Sequence, residues 1–419
     1  MEKCKILVTR FKEVLRSLDD EADYFRPFQF ALVIGGIYLK TNNVHLRRLF
    51  AFIRILIILM IVFVLDRIYM CVYEWKSEAD TFGVVAFLTE TVVIIIRAGA
   101  TWYYREHLGQ VRGYLSCMLN NRTDRVDGRN QSYRIIRSVS FWVLICFVVD
   151  CILIRVFGLY NTKMLATPDN LAGLGPHWKL FGDNFTNCMF LVISLLSVAN
   201  LTVQNSVLMG FYQAMQDLIN AYATLFSRVD EEIGLIFSEK AKELQDFEKD
   251  MLFWKLLKQE LRATIISHNE LLEQLSYVKR FLSITFSVMF YLHFLSLTCA
   301  LFYCIYKGLS IDSIIEGSYI LVSLAEMFWI FRLVDDLNKA NKSVSLAIYN
   351  LDWHQRFKFV PAFQSDYRHV RAALLLGMIT SQRTLGISCA GIFEISIEAF
   401  GQFILKMYNV LTFLLNMIL

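Results

Sequence analysis

Helix-breaking proline is scarce in this chain, with 4 among 419 residues, so long helices meet few obstacles. The first 20 residues lack the apolar core of a cleavable signal peptide, which leaves the first apolar block to act as its own insertion signal. The nine cysteines form no CxxC pair. That removes the usual zinc and redox signatures, and their place within apolar blocks makes them small buried hydrophobes. Phosphate-loop and nucleic-acid signatures are missing as well. No serine stands in a nucleophile-elbow context, and the seven histidines are scattered from His45 to His369. Neither an enzyme nor a cofactor is expected, and no internal repeat of the transporter kind is visible.

What the chain has is apolar sequence in long blocks. With 56% hydrophobic residues and a mean hydropathy of +0.45, it is too apolar for an ordinary soluble protein. Seven blocks have the length of membrane helices, since about 20 residues cross a hydrocarbon core about 30 Å thick. They run approximately over 49–69, 81–103, 135–159, 185–209, 281–306, 311–333 and 392–417.

Basic residues give these spans a direction. Arg47 and Arg48 close a basic segment before the first span, and Arg105 to Arg137 crowd the loop after the second. Lys339 to Arg383 do the same before the seventh. The opposite loops are poor in basic residues: Lys76 lies among Glu74, Glu78 and Asp80, and the loop after the third span has only Lys163 and Lys179. The expected fold is therefore an all-α membrane protein with seven transmembrane helices, a cytoplasmic amino terminus and an extracellular carboxyl terminus. A G-protein-coupled receptor has the inverse arrangement. Asn184-Phe-Thr falls at the outer mouth of the fourth span, where it can be glycosylated. The sequons at Asn121, Asn130 and Asn341 fall on the cytoplasmic side and should stay bare, and that at Asn200 lies within a span.

The organisation follows. Residues 1–48 form a cytoplasmic segment and 49–211 carry spans one to four. Residues 212–280 are too polar to cross; Leu252, Leu256, Leu261, Ile265, Leu272 and Leu275 recur at helical spacing, which reads as cytosolic extensions of the flanking spans or as a solvated coiled hairpin. Residues 281–334 hold spans five and six. Residues 335–390 join the cytosolic layer through the pattern Val344, Ala347, Ile348 and Leu351, with a mobile loop expected over Phe357 to Tyr367. Residues 391–419 form the last helix, which ends without a tail; that suits a pore wall better than a docking site for a cytosolic signalling partner.

Ionisable residues inside spans are costly and draw attention first. Glu90, Asp150, Arg155 and Glu326 are of this kind. They can line a hydrated vestibule or pair with one another, and Arg155 can also reach the outer interface. His293 reads as a hydrogen-bonded structural residue. In the last span Phe413, Asn416 and Met417 share one helix face, with Asn409 on nearly the same stripe. Repeated around an axis, amides and apolar side chains would make a ring that passes hydrated cations and closes by dewetting. Alternatively, the two asparagines hydrogen-bond between packed helices.

Several motifs, in order, resemble the insect odorant receptors. They are Ile266-Ser267-His268-Asn269-Glu270, Ala347-x-Tyr349-x-x-x-Trp353, Ser381-Gln382-Arg383, Phe393-x-x-Ser396-x-x-x-Phe400 and the following Tyr408. The likeness is strongest over the last 80 or so residues. The related gustatory receptors carry Thr-Tyr and Gln-Phe pairs where this chain has Asn409-Val410 and Asn416-Met417, which favours a divergent, ligand-tuned odorant receptor. The resemblance implies an odorant-gated nonselective cation channel of four subunits, formed with a co-receptor in the plasma membrane of a sensory dendrite. It implies a small volatile apolar ligand in the outer half, near Phe82, Phe87, Cys151, Ile154, Phe157, Met189, Ile193, Tyr319 and Ser323. It places Asn409, Phe413, Asn416 and Met417 at the pore, and His268, Ala347, Tyr349, Trp353 and Gln382 in the subunit anchor. A gustatory channel and a metabotropic seven-helix receptor are the alternatives; no nucleic-acid partner is expected.

Overall fold

The computed structural model describes residues 78–120, 175–182, 184–185, 210–226, 246–351, 361–389 and 391–418, with positions 48, 51–52, 55–56, 58–59, 61–62, 65–66 and 68–69. Helix α1 spans Glu78–Tyr103 and α2 spans Arg105–Asn120. Hydrogen bonds from Tyr104 N to Ala100 O and from Leu108 N to Tyr104 O carry the backbone ladder across the junction. The basic stretch from Arg105 to Asn120, expected as loop, is therefore helical.

Helix α3 runs unbroken over Asp246–Lys307, 62 residues, or about 93 Å at 1.5 Å per residue. Its polar first half and apolar second half are one rod, continuous through the expected span boundary at Phe281. Gly308 ends it at φ 65°, a left-handed conformation that glycine adopts without a Cβ penalty. Ser310 then caps α4, Ile311–Tyr349, by accepting a 3.2 Å hydrogen bond from Ser313 N. Helix α4 outruns the expected sixth span by a further four turns and absorbs the pattern at Val344 and Ile348.

A 3₁₀ turn at Pro361–Phe363 leads into α5, Gln364–Gln382. The Pro361 to Tyr367 part of the expected loop is thus helical, with proline tolerated at its head; residues 352–360 lie outside the described residues. Strands β1 (Ser388–Cys389) and β2 (Phe393–Glu394) pair antiparallel around Gly391, whose φ is 76°. The final helix, α6, spans Ile397–Ile418. It begins later than expected because Gly391 to Glu394 are spent on this hairpin.

Helix α3 is the centre of the described fold: α1, α2, α4, α5 and α6 all pack against it. In its amino-terminal half the buried stripe is Trp254, Leu257, Leu261, His268, Leu271, Leu275 and Val278, and Leu252, Leu256, Ile265 and Leu272 flank it. Its apolar half meets α4 and α6 through rings, with Phe286 5.2 Å from Phe331, Phe290 5.0 Å from Phe403, and Phe331 5.6 Å from Phe400 on α4 and α6. Among the described residues, stretches of three helices are long and apolar enough to cross a membrane: Thr81–Tyr103, Phe247–Lys307 and Glu316–Tyr349. Helix α6 is not one of them, because Gln402, Lys406, Asn409 and Asn416 interrupt it.

Candidate functional site

Polar side chains from α1, α3 and α4 converge midway along their apolar stretches. Glu90 and Arg97 lie two turns apart on α1; Tyr319, Ser323 and Glu326 follow one face of α4 at helical spacing. His293 and Ser296 face them from α3. Arg97 Nη2 lies 2.9 Å from Glu326 Oε1, with both side chains almost wholly buried. The same nitrogen lies 3.3 Å from His293 Nε2, and His293 Nδ1 lies 3.1 Å from Glu90 Oε2. A guanidinium only donates. His293 Nε2 must therefore accept, which puts the ring proton on Nδ1, facing the Glu90 carboxylate.

The chain of contacts continues through hydroxyls. Tyr319 Oη donates to Glu90 Oε2 at 2.7 Å. Ser296 Oγ is 2.9 Å from Tyr319 Oη and 3.0 Å from the Ala86 carbonyl oxygen, so its single proton serves one of them at a time. Not every atom is satisfied: Arg97 Nε, Glu326 Oε1 and His293 Nδ1 are buried without a well-directed hydrogen bond, although Arg97 and Glu326 are in contact and His293 Nδ1 lies close to Glu90. Such a cluster holds three helices at one depth. It also leaves one polar edge accessible, because the Glu90 side chain is 19% exposed whereas His293 is sealed.

A second polar arrangement controls how the chain enters α6. Asn341, buried toward the carboxyl-terminal end of α4, donates through Nδ2 to the carbonyl oxygens of Ser381 (3.0 Å) and Arg383 (3.3 Å). Asn338 Oδ1 accepts from Leu385 N at 2.9 Å, and Asp335 Oδ2 accepts from Ile397 N, the first residue of α6, at 3.2 Å. Spaced three residues apart, these side chains form a ladder that grips the strap between α5 and α6. Gly386, at φ 61°, passes so close to Lys279 that a Cβ would stand 2.9 Å from its Nζ. His268 sits beside Asn341, and burial holds its imidazole down at about 4, against a partly offsetting hydrogen bond with Asn341.

Helix α6 has two unlike faces. Phe403, Met407 and Leu411 are buried against the body. Asn409, Phe413, Asn416 and Met417 are all exposed.

The structure distributes the other expected residues unevenly. Tyr319 and buried Ser323 join the polar cluster. Phe82 packs against Phe302 of α3 with the rings tilted, centroids 4.4 Å apart. Cys151, Ile154, Phe157, Met189, Ile193 and the side chain of Phe87 lie outside the described residues, as do Asp150, Arg155 and Trp353. His268 is buried inside the chain and Ala347 is half-buried, whereas Tyr349 and Gln382 are exposed. Asn184 is exposed on a short helix. Asn341 is fully buried, which closes its sequon to modification. Sequence reading missed Arg97 and Ser296. The seven-residue spacings Glu90–Arg97 and Tyr319–Glu326 were the available signal, since each pair returns to one helix face after two turns.

Long apolar helices, a charged cluster packed between them and a strapped terminal helix define a helical membrane protein. The chain belongs to the 7tm odorant receptor family, whose profile matches residues 77–408. Its fold is similar to that of the insect olfactory receptor OR5 from Machilis hrabei. The structure of that receptor in complex with eugenol superposes with a TM-score of 0.66 at 12% identity, over 94% of this chain and 98% of that one. A second structure of it gives a TM-score of 0.65 at 11% identity, over 94% and 97%. No curated protein sequence matches the chain.

Proposed function

We propose that this odorant receptor is a subunit of an odorant-gated, nonselective cation channel, formed with a co-receptor as a tetramer in the plasma membrane. The observation that carries the reading is the division of α6, whose apolar residues Phe403, Met407 and Leu411 are buried while Asn409, Asn416 and Phe413 stay exposed. A helix facing lipid on its outer side needs no amides there; a helix facing water does. The topology proposed for it has seven membrane helices, a cytoplasmic amino terminus and an outward-facing end of α6. Tyr349 and Gln382, exposed in the cytosolic layer, suit an anchor between subunits.

The ligand is a small, mainly apolar volatile molecule. Burial of its surface drives binding at about 25 cal/mol per Å² of apolar area, with Tyr319, Ser323 and the accessible edge of Glu90 orienting it. It opens the channel only by binding the open state better than the closed one. Eugenol, bound by the Machilis hrabei receptor, is a sensible first probe.

Single-cysteine scanning of α6, with the co-receptor present and odorant applied, tests the pore. Positions 409, 413 and 416 should react with a charged thiol reagent and change the current; positions 403, 407 and 411 should not. An epitope after Leu419 should be reachable in intact cells. A metabotropic receptor would show neither result.

A further inference from the structure

Lys406 lies close to the middle of α6, nine residues after Ile397 and twelve before Ile418. At 1.5 Å per residue those distances are about 14 Å and 18 Å, more than a four-carbon stem can cover to either end of the helix. Gln402, Lys406, Asn409, Phe413 and Asn416 recur at alternating steps of four and three. At 100° per residue the five occupy an arc of about 80°. All five are exposed, and Phe403, Met407 and Leu411 cover the far side of the helix. No ion pair or hydrogen bond engages the Lys406 side chain among the described residues.

An unpaired ammonium turned toward lipid at this depth is costly, and ionisable residues in spans accordingly face water-filled paths or partners. The rest of the arc agrees, since three of its four other members carry amides. We propose that Lys406 faces the conduction path and sets its divalent-ion permeability, an inference that rests on the pore reading of α6 given above. A fixed positive charge repels a divalent cation twice as strongly as a monovalent one at the same distance. Monovalent ions therefore carry most of the current. Four such charges around one axis would multiply the barrier, which favours co-assembly with a partner subunit that is uncharged at this position.

The test uses the full-length receptor with its co-receptor, opened by an agonist, with reversal potentials recorded in sodium and calcium solutions. Lys406→Gln should raise the calcium-to-sodium permeability ratio on the order of five-fold, the ratio expected when a divalent ion loses one extra unit of repulsion at about 4 Å in water. Lys406→Glu should raise it further, and Lys406→Arg should keep the wild-type ratio. An unchanged ratio in Lys406→Gln, while cysteines at 409 and 416 remain reactive, overturns the inference and leaves the pore reading standing. So does a reduced surface density of Lys406→Gln channels whose remaining current keeps the wild-type ratio, which would make the lysine a contact with the partner subunit. If the cysteines at 409, 413 and 416 are themselves unreactive, the pore reading fails and takes this inference with it.

Discussion

Arg97 on α1 and Glu326 on α4 meet at 2.9 Å, 2% and 4% exposed, inside the apolar part of the helix bundle. Removing one partner strands the other. Breaking a buried ion pair costs about 3–5 kcal/mol, whereas replacing both partners with apolar groups of similar volume is often close to neutral. Arg97→Met and Glu326→Leu alone should therefore lower surface expression and thermal stability in detergent. The double variant should recover most of the loss. If the double variant is as impaired as the sum of the singles, the pair is not acting as a unit.

Tyr319 should separate orientation from affinity. Tyr319→Phe keeps the ring and removes the hydrogen bond to Glu90. A hydrogen bond to a charged group contributes about 1.5–3 kcal/mol, and its loss frees the carboxylate edge. Agonists with a hydroxyl should shift in half-maximal concentration by about ten-fold or more, in either direction. Pure hydrocarbon analogues should shift far less. Equal shifts for both classes would mean that the variant changes packing and not recognition.

His268 gives the packing of α3 a pH dependence. Its imidazole titrates near 4 in the fold because it is buried, against about 6.5 in an unfolded chain. Between those values the unfolded chain binds the extra proton, so folding stability falls as the pH drops through this window and levels off below about 4. The accumulated loss is about 3 kcal/mol. Urea or thermal unfolding of wild type and His268→Gln across pH 7 to 4 measures it: the difference between the two should grow toward low pH. Parallel curves would show that His268 is not the group responsible.

Much of this was legible beforehand, and the reasons differ by element. Length and hydropathy located the described spans because membrane thickness fixes both. The amino-terminal half of α3 was visible as a periodic pattern, but its buried stripe centres on Trp254, Leu257 and Leu271, beside several residues that periodicity alone favoured. The hairpin at Ser388 to Glu394 was hidden because Ile392, Phe393 and Ile395 extend the apolar run of the last helix; only Gly391 marked the break. The polar cluster was half-seen. Glu90, His293 and Glu326 stood out singly, but which partners meet depends on helix rotation and relative depth, which one sequence does not encode locally.

The strap between α5 and α6, gripped by α4, offers the sharpest test of whether α4 drives the last helix. Asn338 Oδ1 holds the Leu385 amide, and Asp335 Oδ2 holds the first amide of α6, whose positive dipole end also favours a carboxylate. Asn338→Ala leaves a half-buried amide without its acceptor, at about 1–3 kcal/mol; Asp335→Ala removes a cap at about 1 kcal/mol. Both variants should reach the surface but open less completely at saturating agonist, because α6 then begins from a looser strap. Asn338→Asp retains an acceptor oxygen and should restore opening toward wild type, which simple destabilisation by any substitution would not predict. Full maximal currents in Asn338→Ala and Asp335→Ala, at matched surface density, would show that α4 does not drive α6 through these contacts.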